Sequence, residues 1–92
     1  MPLALILAPT RELATQIAAV VTPLAEAYDL TVTTIYGGVS QNRQVAALKE
    51  GVDIVVACPG RLEDLMGQRH IRLDAIEITV IDEADHMADL GF

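Results

Sequence analysis

Ninety-two residues allow at most one small domain, and an apolar content of 52% excludes a disordered chain. Aromatic residues make up only 3% and Trp is absent, so the core has to be built from Leu, Ile, Val and Ala. The formal net charge of -7 argues against a general nucleic-acid binder, because phosphate contacts need clustered cations; the positions of Arg11, Arg43, Lys49, Arg61, Arg69 and Arg72 therefore matter more than the total.

The first element is the apolar run Leu3 to Ala8, ended by Pro9, which reads as a buried strand. It is far too short to span a membrane, and Pro2 without a basic n-region makes a poor signal peptide. Thr10 then suits a helix cap, with Glu12 in the positive first turn. Leu13, Ile17, Val20, Leu24 and Ala27 recur at helical spacing and predict one apolar face, with a kink or break just before Pro23.

Thr31 to Tyr36 is β-branched and aromatic, a second strand stopped by Gly37-Gly38. Ser40 is a candidate cap for a helix through Lys49, which Gly51 ends. Val52 to Ala57 predicts a third strand, broken by Cys58-Pro59-Gly60. Arg61 to about Gln68 then reads as a short helix burying Leu62, Leu65 and Met66. Cys58, the sole cysteine, excludes an internal disulfide, and with two scattered histidines it cannot build a zinc site, so a reduced, cytoplasmic setting is the default. Arg69 to Glu77 forms a polar connection with Ile71, Leu73 and Ile76 turned inward, leading to a fourth strand in Ile78-Thr79-Val80-Ile81.

This βαβαβαβ order predicts an α/β fold, a three-layer parallel sheet with flanking helices joined by right-handed crossovers. Ligands of such sheets gather at the carboxyl ends of the strands. Four loops arrive there: Pro9-Thr10-Arg11, Gly37-Gly38, Pro59-Gly60-Arg61 and Asp82-Glu83-Ala84-Asp85, each carrying glycine, arginine or carboxylate.

Side-by-side carboxylates repel and lose hydration, so Asp82, Glu83 and Asp85 suggest a cation or a reaction, against the plainer reading of a solvated acidic turn. A carboxylate ending a buried strand can hold Mg²⁺ through its waters, and its neighbour can orient or deprotonate an attacking water; Asp82 and Glu83 suit those two roles. The other loops suit a phosphate chain. Arg11 and Arg61 pair a guanidinium with a helix start, and Gly37-Gly38 lets backbone come close to a ligand. The plainer readings are a solvated Arg11 or a partner for Glu12, a tight turn at Gly37-Gly38, and an Arg61–Asp64 ion pair.

Together, Pro9-Thr10-Arg11-Glu12-Leu13-Ala14, Gly37-Gly38, Pro59-Gly60-Arg61-Leu62 and Asp82-Glu83-Ala84-Asp85 resemble motifs Ia, GG, Ib and II of the DEAD-box RNA helicases, in that order, with Gly91-Phe92 resembling the usual continuation. The resemblance covers essentially the whole chain. It implies a RecA-like domain of an ATP-dependent RNA helicase, with ATP and Mg²⁺ as cofactors. Asp82 would help bind the Mg²⁺, Glu83 would activate the hydrolytic water, and Asp85 would couple to motif III. Thr10, Arg11, Gly37, Gly38, Gly60 and Arg61 would grip the backbone of single-stranded or duplex RNA, without sequence preference. A second, C-terminal RecA-like domain would close on the RNA when ATP binds.

Two departures qualify the resemblance. Cys58 stands where the family most often has Thr, which predicts a slightly weaker phosphate grip; a reactive thiol is the lesser alternative. The phosphate-cradling Gly-x-x-x-x-Gly-Lys-Ser/Thr pattern and a Ser-Ala-Thr segment do not occur in these residues. Residues 1–92 are thus expected to be an internal piece of the N-terminal RecA-like domain, inactive alone and prone to self-association through an exposed strand edge. The rival readings are another RecA-like translocase acting on DNA, and a non-catalytic module binding RNA or protein.

Overall fold

The computed structural model describes residues 2–72, 74 and 78–81. Four parallel strands, β1 (Ala4–Leu7), β2 (Val32–Ile35), β3 (Ile54–Ala57) and β4 (Ile78–Ile81), form one sheet in the order β2-β3-β1-β4. The helices α1 (Arg11–Glu26), α2 (Asn42–Glu50) and α3 (Pro59–Gly67) make the three crossovers described. Register is in step across the sheet, with Leu7 beside both Ala57 and Ile81, so the strands end level. Among the described residues β2 and β4 pair on one side only.

The inner strands β1 and β3 are apolar without alternation because each is covered on both faces. Leu5, Leu7, Val55, Ala57 and Ile35 point to one face, where they pack with Leu62 and Leu65 of α3 and with Val45, Ala47 and Leu48 of α2. Ile6, Ala8, Val56 and Val32 point to the other, against Leu13, Ala14, Ile17 and Ala18 of α1. The result is the expected three layers, α1, sheet, then α2 with α3. Leu62 and Leu65 are fully buried, each contributing ~1.5–3 kcal/mol relative to exposure. Gln41 and Gln68 exchange amide hydrogen bonds of 2.8 and 3.2 Å, tying the start of α2 to the end of α3.

Helix α1 differs from its sequence expectation in two respects. Its buried positions are Ala14 and Ala25, whereas Val20 and Leu24 are 67% and 64% exposed. A stripe of small residues lets the helix lie close to the sheet, with Leu13 and Ile17 beside it, and turns Val20 and Leu24 outward. The helix also continues unbroken through Pro23 to Glu26. Pro23 stands near the C-terminal end, where only one i→i−4 bond is lost and few turns remain to be displaced. Met66 on α3, expected inside, is 41% exposed.

The amino ends of β2 and β3 are stapled by one side chain. Asp53 Oδ2 accepts the Thr31 N–H at 2.9 Å and the Thr31 hydroxyl at 3.1 Å, while Asp53 N–H donates to Thr31 O. Gly51 closes α2 with φ 101°, as its place in the sequence predicts. Ile71 is buried as expected; Leu73 and Ile76 lie outside the described residues. No helix among the described residues is long and apolar enough to cross a membrane.

Candidate functional site

Three of the four predicted loops meet at the carboxyl edge of the sheet. Thr10 caps α1 with extended backbone, its Oγ1 accepting the Leu13 N–H at 3.1 Å. That bond uses a lone pair and leaves the hydroxyl proton to donate outward. Arg11, the first residue of the helix, reaches over β3 to the loop after β2. Its guanidinium stacks 4.9 Å from the centre of the Tyr36 ring, within cation–π range.

The loop after β2 carries Gly37 and Gly38, both exposed. Gly38 has φ 82°, a conformation that disfavours side chains, and a Cβ built there would lie 3.6 Å from Arg11 Nη1. Gly37 and Gly60 would each accept a Cβ with nothing within 4 Å. Their space opens to solvent, so internal packing does not require glycine at either position.

Arg61 approaches the same loop from α3. Its Nη2 donates to Val39 O at 2.9 Å, and its Nη1 donates to Gln44 Oε1 at 3.2 Å. Gln44 is only 7% exposed and its Nε2 donates to Tyr36 O at 3.0 Å, so one buried amide joins Arg61 to the loop's first carbonyl. Pro59 opens α3, and as first-turn groups the Gly60 and Arg61 N–H have no intrahelical acceptor. Neither Arg11 nor Arg61 belongs to an ion pair among the described residues, where the one found joins Arg72 to Asp74. The plainer readings, Arg11 with Glu12 and Arg61 with Asp64, therefore do not describe these arginines. The ensemble is an exposed cationic ledge with free backbone donors, able to receive an anion.

Cys58 sits between the ledge and the core, partly buried against Ala8, Ala14 and Val56, and gives α3 no side-chain cap. Burial pushes its thiol pKa up, the reverse of what a reactive thiolate needs.

Sequence reasoning passed over Gln44. The signal was available: Gln44, Ala47 and Leu48 stand at i, i+3 and i+4, so a polar residue occupies the core-facing stripe of α2. Buried polar side chains at such positions are held in hydrogen bonds. Asp82, Glu83 and Asp85 follow directly on β4 in the sequence and lie outside the described residues.

The DEAD/DEAH box helicase family model matches residues 1–92. The chain belongs to this family. Its relatives include the ATP-dependent RNA helicase RhlB of Escherichia coli strain K12 / DH10B, 54% identical over 91 residues, covering 99% of this chain and 22% of that protein. RhlB of Shigella boydii serotype 18 matches to the same extent. Among solved structures, the yeast DEAD-box splicing factor Prp28 superposes with a TM-score of 0.88 at 43% identity, over 99% of this chain and 21% of that one. A hypothetical ATP-dependent RNA helicase from Sulfolobus tokodaii gives 0.89 at 41%, over 99% and 27%. The chain thus spans about a fifth of the length of the curated DEAD/DEAH box relatives it matches. Their sheets and this one share the RecA-like, three-layer parallel architecture.

Proposed function

We propose that residues 1–92 are part of the N-terminal RecA-like domain of a cytoplasmic ATP-dependent RNA helicase, in which hydrolysis of Mg-ATP is coupled to RNA binding and local duplex opening. The observation that carries this reading is the convergence of Arg11 and Arg61 on the Gly37-Gly38 loop, with both charges unpaired by acids among the described residues. Thr10, Arg11, Gly37, Gly38, Gly60 and Arg61 hold the sugar-phosphate backbone. The hydroxyl of Thr10 and the N–H groups of Gly60 and Arg61 donate to phosphate oxygens, while the glycines admit the strand closely. These groups touch backbone and not base edges, so RNA is taken irrespective of sequence. That the relatives are named ATP-dependent RNA helicases favours RNA over DNA and turnover over a non-catalytic role.

The carboxylates Asp82, Glu83 and Asp85 are hard oxygen donors of the kind Mg²⁺ takes, and in the sequence they follow directly on strand β4. Asp82 would hold the ion through water, and bound Mg-ATP supplies the scissile phosphoanhydride. Glu83 orients the attacking water and accepts its proton; Asp85 ties this loop to a neighbouring one. A C-terminal RecA-like domain closes the RNA site.

In the full-length protein, Glu83→Gln should abolish ATP hydrolysis while ATP-dependent RNA binding survives. Arg61→Ala should weaken binding equally across unrelated RNA sequences. Hydrolysis near the native rate in the first variant, or loss confined to one RNA sequence in the second, would show the roles to be misassigned.

A further inference from the structure

Beside the ledge lies a cavity of about 400 Å³ at the β2 edge of the sheet, and none of the six residues named above as RNA contacts accounts for it except Arg11. Arg11 lines one side and Arg43, from the first turn of α2, lines another; Tyr36, Ser40, Thr33 and Thr34 contribute the ring and hydroxyls between them. No carboxylate among the described residues lines it, although acids outnumber bases 13 to 6 in this chain. The local reversal of charge is therefore a property of this concavity and not of the molecule.

The polar groups are also set to donate. Ser40 Oγ accepts the Asn42 N–H at 3.2 Å, which commits a lone pair and leaves the hydroxyl proton free. Arg43 is exposed and has no hydrogen-bond or ion-pair partner among the described residues. Arg11 faces both this cavity and Gly38, so a chain of phosphates crossing the Gly37-Gly38 loop arrives here next. A volume of about 400 Å³ lies in the ~300–1,000 Å³ range of ligand sites, and the two arginines and the hydroxyls share the lining with apolar surface from Val39 and Ala47, the mix of apolar wall and few polar groups that such sites have.

We propose that the cavity between Arg11 and Arg43 seats a further phosphodiester of the RNA strand, extending the backbone track past Gly38 to the β2 edge, with Arg43 as an additional RNA contact. This rests on the RNA-binding reading above. Each phosphate neutralised contributes about 0.7 to the slope of log affinity against log salt for a single strand.

The test is RNA affinity of the full-length protein, with ATP analogue bound, measured over a salt series. Arg43→Ala should lower affinity several-fold for every RNA sequence and reduce the slope by about 0.7, and Arg43→Lys should restore most of the slope. Lys49→Ala removes the same charge about 9 Å further along α2 and should leave the slope unchanged. An unchanged slope in Arg43→Ala while Arg61→Ala reduces it would overturn the additional seat and leave the main site standing. An equal reduction in Lys49→Ala would also overturn it, because the effect would then be diffuse electrostatics. If Arg61→Ala and Arg43→Ala both leave affinity and slope untouched, the RNA-binding reading itself fails.

Discussion

Gln44→Glu changes one atom pair and reverses the logic of the arginine site. The native amide donates to Tyr36 O at 3.0 Å and accepts from Arg61 Nη1 at 3.2 Å, and it carries no charge. A carboxylate of the same shape keeps the second contact and loses the first, placing an anionic oxygen against the Tyr36 carbonyl. The lost hydrogen bond and the stranded acceptor together cost about 1–3 kcal/mol of stability. The new ion pair offsets part of this: unit charges ~4 Å apart attract by about 4 kcal/mol at an effective dielectric near 20, before desolvation is subtracted. Net destabilisation should therefore be about 0–2 kcal/mol, small enough for the protein to fold. The effect on RNA should be larger in kind, because Arg61 is then neutralised in place. Affinity should fall about as far as in Arg61→Ala, and the salt slope should drop by about 0.7. A double-mutant cycle read by fluorescence anisotropy decides it, since Gln44→Glu should cost almost nothing further in an Arg61→Ala background. Full additivity of the two changes would refute the idea that Gln44 acts through Arg61.

Three other outcomes separate fold from function. Gly38→Ala should lower stability by about 1–2 kcal/mol because φ there is 82°, whereas Gly60→Ala, in open space at the start of α3, should leave thermal stability equal or slightly higher while weakening RNA binding. Asp53→Ala removes the staple to Thr31 and should cost about 1–3 kcal/mol in denaturant unfolding, with RNA affinity unchanged below the melting range because the staple lies at the opposite end of the strands. Cys58 should react with a thiol reagent more slowly than free cysteine at neutral pH and speed up as pH rises. Burial raises its pKa, so the thiolate is scarcer than in an ordinary thiol until pH passes the higher value; rapid modification at pH 7 would contradict the assigned burial.

Much of this architecture can be read from residue order because parallel strands announce themselves as unbroken apolar runs. Leu3 to Ala8 and Val52 to Ala57 were bounded to within two residues by Pro, Gly and Asp. The cap at Thr10 and the stop at Gly51 were likewise local matters, settled by side-chain and φ preferences. Contacts between distant segments were not legible. Nothing in Arg11 announces that it will lie over Tyr36, and nothing in Arg61 announces Val39 O, because both depend on how strand order folds loops 25 and 22 residues apart onto each other. The face of α1 failed for a related reason. Val20 and Leu24 satisfy helical periodicity, yet close approach to the sheet selects the alanine stripe beside them.

The strand order also divides the site by rigidity. β1 and β3 are paired on both sides, so their amides should exchange slowest with solvent deuterium, and Arg11 and Arg61 hang from the ends of those strands. The glycine loop hangs from β2, which is paired on one side among the described residues and opens more readily. The arginines are thus fixed posts and the glycine loop is the compliant member. When a ligand is accommodated, protection should change in residues 36–40 before it changes in the helices that carry the two cations.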